Sequence, residues 1–185
     1  MKTTINIFFG FLVSFISIYV YSQPAPPVAW MKDNTSGRSN AMKVDAAGNV
    51  YISGETYVNG FTDFCTIKYN SAGVQQWIAT YNGTDNLDDS PSSIAVDNQG
   101  NVYITGTANK DYNNQVFSGD YCTIKYNASG QQQWVKVYSG NVMGRDIPFK
   151  IAVDGSGNVY VTGQSYIDDQ RSDDIVTIKY APDGT

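Results

Sequence analysis

The stretch Asp97-Asn98-Gln99-Gly100-Asn101-Val102-Tyr103-Ile104-Thr105-Gly106 decides the reading of the whole chain, because it occurs three times. Its other copies are Asp45-Ala46-Ala47-Gly48-Asn49-Val50-Tyr51-Ile52-Ser53-Gly54 and Asp154-Gly155-Ser156-Gly157-Asn158-Val159-Tyr160-Val161-Thr162-Gly163, whose starts lie 52 and 57 positions apart. A fixed period of that length is the mark of a repeat architecture. Within each copy, Asp can accept a hydrogen bond from the backbone two residues on, and Gly takes the positive φ that a tight hairpin demands. The stretch therefore reads as the end of one strand, a turn, and the next strand.

Working outward, each copy is followed by a second block: Thr66-Ile67-Lys68-Tyr69, Thr123-Ile124-Lys125-Tyr126 and Thr177-Ile178-Lys179-Tyr180. A further turn, Asn70-Ser71-Ala72-Gly73 or Asn127-Ala128-Ser129-Gly130, leads to a segment in which Trp77, Ala79 and Tyr81 share a face, as do Trp134, Lys136 and Tyr138. Trp30 holds the same place ahead of the first copy. Each unit thus contains four short antiparallel strands, a to d, with units at about 41–82, 92–139 and 149–185 and a lone outer strand near Trp30. No helical period appears after the first 22 residues. The fold class is all-β, a β-propeller of four-stranded antiparallel blades, with an extended β-solenoid as the alternative.

These motifs, Asp-x-x-Gly-Asn-Val-Tyr, Thr-Ile-Lys-Tyr and Gln-Gln-Trp, resemble the SBBP repeat, the seven-bladed β-propeller family of secreted bacterial proteins. The resemblance covers nearly all of residues 27–185. It implies a secreted or cell-surface propeller and leaves the activity open.

Residues 1–22 read as a signal peptide: Lys2 precedes an apolar run from Ile5 to Val20, and Val20-Tyr21-Ser22 ends in a small residue before Gln23. Gly10, Ser14 and Ser17 interrupt that run, which is short for a retained membrane anchor. The expectation is a secreted chain, 23–185, with no membrane span once the signal is removed.

Composition narrows the chemistry. Among 185 residues there is no histidine, and Glu55 is the sole glutamate, which excludes imidazole acid–base catalysis, His-based zinc sites and a Glu/Glu glycosidase pair. A net charge of −5 without a basic cluster argues against nucleic acid as a partner. The favoured function is a non-catalytic scaffold presenting loops to a protein or glycan. Its alternatives are a structural adhesin and a calcium-dependent hydrolase whose catalytic site lies in blades outside this sequence.

Several residues invite a chemical role, and each has a structural competitor. Cys65 and Cys122 share one column with Val176, so buried core filling is favoured over a disulfide. The Asp-x-x-Gly-Asn turns carry one carboxylate each, too few for an EF-hand-like calcium loop. Asp168, Asp169, Asp173 and Asp174, between strands b and c of the third unit, are the calcium candidates, weighed against plain solvated charge. Asp88 and Asp89, between strands d and a, are expected at the opposite end of the ring from them. Lys68, Lys125 and Lys179 recur in register, as structural residues do. The tryptophans suit burial between blades better than sugar stacking. Asn34, Asn82 and Asn127 head Asn-x-Ser/Thr sequons, which matter only in a glycosylating host.

Twelve strands amount to three blades, fewer than the four to eight that close a ring. Completion is expected from missing blades of a longer chain or from a second copy.

Overall fold

The computed structural model describes residues 3–5, 18–20, 28–33, 37–84, 86–111, 118–140, 144–166 and 173–185. The chain divides into two compact units, Met1–Met31 and Lys32–Thr185. In the first, β1 (Thr3–Ile5) pairs antiparallel with β2 (Ile18–Val20), and residues 28–31 form no strand. Residues 21–27 and 34–36, which flank Trp30 where the lone outer strand is expected, lie outside the described residues. Among the described residues no helix is long and apolar enough to cross a membrane.

Among its described residues the second unit has β-strands and turns and no helix. The first sheet runs β3 (Gly37–Val44), β4 (Val50–Val58), β5 (Phe61–Tyr69), β6 (Gln75–Tyr81) in spatial order. The second repeats it with β7 (Asp88–Val96), β8 (Val102–Asp111), β9 (Ser118–Tyr126) and β10 (Gln132–Tyr138). The third has β11 (Ile147–Val153), β12 (Val159–Tyr166) and β13 (Asp173–Tyr180). Every pairing within these three sheets is antiparallel between sequence neighbours, so each sheet is a simple meander, the form of a propeller blade.

Blades stack face to face. β7 packs on β3, β4 and β5, while β11 packs on β7, β8 and β9. Tyr51, Phe64, Ile94, Val102, Ile104, Cys122 and Ile124 fill the first interface. Ala95, Tyr103, Tyr121, Ile151, Val159 and Val161 fill the second. The middle blade is covered on both faces, which is why Val102, Tyr103 and Ile104 are all fully buried despite pointing alternately to opposite sides.

Two local devices shape the strands. The a–b turns place Gly48, Gly100 and Gly157 at φ of 81°, 79° and 82°. Each a strand also carries a β-bulge, at Ser39/Ala41, Pro91/Ser93 and Pro148/Lys150. An extra residue there turns out of the ladder, and the structure uses two of the three: Asn40 donates to the Pro91 carbonyl at 2.8 Å and Ser92 to the Pro148 carbonyl at 2.5 Å. Each bond crosses to the next blade. In the third blade the position is Phe149, which carries no donor.

The placement of the acidic loops needs correction. Antiparallel strands reverse direction at every connection, so b–c and d–a return to the same end of a blade rather than to opposite ends. Thr62, which follows the b–c turn of the first blade, donates its backbone N–H (2.8 Å) and hydroxyl (3.1 Å) to Asp88 at the start of β7. Asp89, beside it, faces the protein interior. It is fully buried, accepting from the N–H groups of Gly83 at 2.6 Å and Asn109 at 2.8 Å.

Cys65 and Cys122 are free thiols, both buried. Cys122 lies within the first interface, whereas Cys65 packs with Ile67 and Tyr69 on the other face of the first blade. Burial raises both thiol pKa values, that of Cys122 to about 12. Because the thiolate is the reactive form, a thiol reagent at pH 8 is expected to modify neither cysteine in the folded protein and both after unfolding without reductant. Absence of reaction in the unfolded state would reveal a disulfide and contradict the structure.

Candidate functional site

The repeated stretch builds one arrangement three times at the end of the blades that carries the a–b turns. In the second blade, Asp97 Oδ1 accepts from the backbone N–H groups of Gln99 and Asn101, each at 2.9 Å. Its Oδ2 accepts from Asn101 Nδ2 at 2.8 Å and from the Tyr103 hydroxyl at 3.0 Å. Asp45 makes the same four bonds with Ala47, Asn49 and Tyr51. Asp154 makes them with Ser156, Asn158 and Tyr160. Four donors on one carboxylate leave it little capacity for an incoming proton or metal ion.

Electrostatics follow from those bonds. Burial alone would raise the carboxyl pKa of Asp45 and Asp97, but the side-chain and backbone donors of the turn outweigh it and hold both below the usual value. For Asp154 the Asn158 amide leads, and the pKa falls to about 2. The phenols of Tyr51 and Tyr103 move the other way. Burial, then the hydrogen bond to Asp45, pushes Tyr51 up to about 12, and Tyr103 rises for the same reasons with Asp97. Near neutral pH these carboxylates are acceptors and these phenols donors, and neither is poised to exchange a proton.

The arrangement continues into the next blade. Lys68, Lys125 and Lys179 hold their amines 5.1, 5.3 and 5.5 Å from the ring centres of Tyr51, Tyr103 and Tyr160, their cross-strand partners. Lys125 Nζ reaches the Pro182 carbonyl at 2.9 Å, and the Trp134 indole N–H donates to the same oxygen at 3.2 Å. One blade earlier, Lys68 Nζ lies 3.5 Å and Trp77 Nε1 3.0 Å from the Ala128 carbonyl. Each acceptor sits in the c–d turn of the following blade. The turn glycines make room for the indole: a Cβ on Gly130 would stand 2.7 Å from the Trp77 ring. The tryptophans and lysines are therefore latches between blades. Trp134→Phe, which deletes the N–H and shrinks the indole to a phenyl ring, is expected to destabilise the protein by about 1 kcal/mol or more in urea unfolding. An unchanged midpoint would remove the hydrogen bond from the latch.

Between the a–b turns of the second and third blades these parts enclose a groove of about 340 Å³. Asn98, Gln99, Lys125, Ser156 and Pro182 line it, with the amides of Asn98 and Gln99 exposed at its edge.

Of the calcium candidates, Asp168 and Asp169 lie outside the described residues, Asp173 opens β13, and Asp174 follows it, half-buried. Among the described residues no three acidic or cysteine side chains form a group able to hold a metal ion. Glu55 accepts from Ser90 Oγ and from Asn40 Nδ2 (3.3 Å) and lies 3.9 Å from Arg38, so it too is tied into a blade contact.

One recurring device escaped the sequence reading. Asp146 is buried and accepts from the Gly140 N–H at 2.7 Å and the Ser165 hydroxyl at 2.5 Å, as Asp89 accepts from the Gly83 N–H. The signal was present as Gly-x5-Asp-x-Pro, at Gly83 to Pro91 and Gly140 to Pro148.

Comparison with known proteins agrees with this architecture. The SBBP family, described as a beta-propeller repeat, matches residues 76–113 and 140–169. No curated protein matches the chain.

Proposed function

We propose, from the premise that this chain carries beta-propeller repeats of the SBBP family, that it is a secreted, non-catalytic scaffold whose turn-bearing end presents grooves between blades to a protein or glycan partner. The observation that carries this reading is the groove between the Asp97 and Asp154 turns. Its amide side chains offer both donors and acceptors at a rigid edge, while its carboxylates are committed to their own turns. Two ionised aspartates against Lys125 leave a net negative site, which disfavours anionic ligands and suits neutral, hydroxyl-rich or basic ones. The apolar run at residues 5–20 supports export.

Binding of the full chain to a glycan and peptide array, with Gln99→Ala as the comparison, tests this. The expected result is a small set of neutral or basic ligands whose signal falls in the variant. Turnover of phosphoester or glycoside substrates, with or without added calcium, would replace the scaffold reading with an enzymatic one.

A further inference from the structure

We propose, building on the scaffold reading, that the groove between the second and third blades takes an extended peptide segment bearing a Lys or Arg side chain, selected by the variable residues of the two a–b turns. The repeated stretch keeps Asp, Gly, Asn, Val and Tyr in all three copies. Four of these serve the turn itself: the carboxylate accepts, the amide and the phenol donate to it, and Gly supplies the positive φ. The second and third residues change completely, from Ala46-Ala47 to Asn98-Gln99 to Gly155-Ser156, and all of them are exposed. At these positions the turn needs only the backbone N–H of the third residue, at Ala47, Gln99 and Ser156. The repeat therefore varies where its side chains meet the groove.

Asn98 and Gln99 form one wall. Asn101 Nδ2 donates to Gln99 Oε1 at 3.3 Å, which braces that side chain and leaves its NH2 group as a donor. Asn98 adds a carbonyl and an NH2 group, so the two amides together can hold the N–H and C=O of a peptide unit. The facing wall, Gly155, Ser156 and Pro182, is nearly bare. Nothing lies within 4 Å of a Cβ placed on Gly155, so another chain can approach this backbone closely. That turn closes through the Asp154 carbonyl, which accepts from the Gly157 N–H, and the Asn158 carbonyl, which accepts from the Asp154 N–H. The Gly155 and Ser156 carbonyls take no part in the closure and are acceptors for a cationic group.

Charge selects the basic side chain. Asp97 and Asp154 are ionised at neutral pH, whereas the Lys125 amine is already committed to the Pro182 carbonyl and the Tyr103 ring. Because the turn donors occupy both carboxylates, an incoming cation is drawn by their field and meets carbonyl oxygens. A neutral sugar finds less to hold it: Tyr103 is the aromatic residue of the lining and is fully buried, so it opens no ring face for stacking. The same frame recurs between the first and second blades, where Lys68 approaches Ala128. There Ala46-Ala47 replaces the amide wall and Asn98-Gln99 replaces the bare one, so that junction lacks both features.

Selection of short capped peptides from a random library on the immobilised full chain tests the proposal, with neutral oligosaccharides run beside it. The expected result is enrichment of Lys or Arg, and a selected peptide whose affinity falls roughly tenfold in the Asn98→Ala, Gln99→Ala double variant, the loss of two neutral hydrogen bonds. Gly155→Asn, which puts the amide of the first junction on the bare wall, should weaken the same peptide by a similar factor while the melting temperature is kept, because the position is open. Peptides without basic enrichment, or oligosaccharides bound in their place, overturn the proposal and leave the scaffold reading standing. Binding of neither class overturns both. Affinity unchanged in the two folded variants puts the peptide elsewhere on the protein and overturns the proposal as well.

Discussion

Gly106→Ala is expected to destabilise the protein by about 3 kcal/mol or more, the upper range for overpacking, and to lower the melting temperature by roughly 10 °C. A Cβ at this position would lie 2.3 Å from the Ser90 carbonyl oxygen, 2.4 Å from Pro91 Cα and 2.9 Å from the Phe64 ring. Two of these atoms are backbone on the bulged strand, so no rotamer change relieves the clash. Gly54 and Gly163 meet the same obstruction, at 2.0 Å from the Arg38 carbonyl oxygen and 2.1 Å from that of Ile147. The glycine that closes each repeated stretch is therefore demanded by the bulge beside it, at ordinary negative φ. Gly155→Ala is the control, since nothing lies within 4 Å of its added carbon. Thermal unfolding of the two variants side by side decides the matter, and equal melting temperatures would refute the explanation.

Asp97→Ala carries the second large effect, a loss of about 2–3 kcal/mol, because it deletes an ionised acceptor and strands the donors it served. Two of those are backbone N–H groups of the turn, and a third is the hydroxyl of the fully buried Tyr103. The same carboxylates set the acid limit of the fold. Asp45, Asp97 and Asp154 have folded pKa values below those of the unfolded chain, so their stabilisation is complete above about pH 4 and is lost as pH falls toward 2. Asp63 opposes them, since burial raises its pKa. With Asp183, held down by its bonds from the Thr185 backbone and hydroxyl, four lowered groups against one give a net loss of stability on acidification. Urea midpoints should hold steady from pH 7 to 5 and drop between pH 4 and 2, with a shallower drop in Asp97→Ala. A midpoint that rises below pH 4 would contradict the assignment.

What could be read before the fold was known follows contact distance along the chain. The a–b hairpin closes over four residues, with Asp97 bonded to Gln99 and Asn101, so its chemistry is written in one short stretch. The β alternation and the Asn-x-x-Gly turns are equally local, and three copies made the blade legible. The acceptors of Lys125 and Trp134 were not, because Pro182 lies 57 and 48 residues away. The partners Thr62 of Asp88 and Asn109 of Asp89 lie 26 and 20 residues away, whereas Gly83, six residues before Asp89, is within local reach. The bulge residues Asn40 and Ser92 interrupt the alternation without announcing a target, and only the neighbouring blade shows what they bind.

The amino-acid sequence thus determined the repeat, its four-strand unit and the saturated turn carboxylate, since each rests on hydrogen bonds and alternation within about ten residues. The tertiary structure alone decided which side chains hold blade to blade and which acids are buried. Those outcomes depend on packing between segments some 50 residues apart, where burial is a property of the neighbour and leaves no mark in the local sequence.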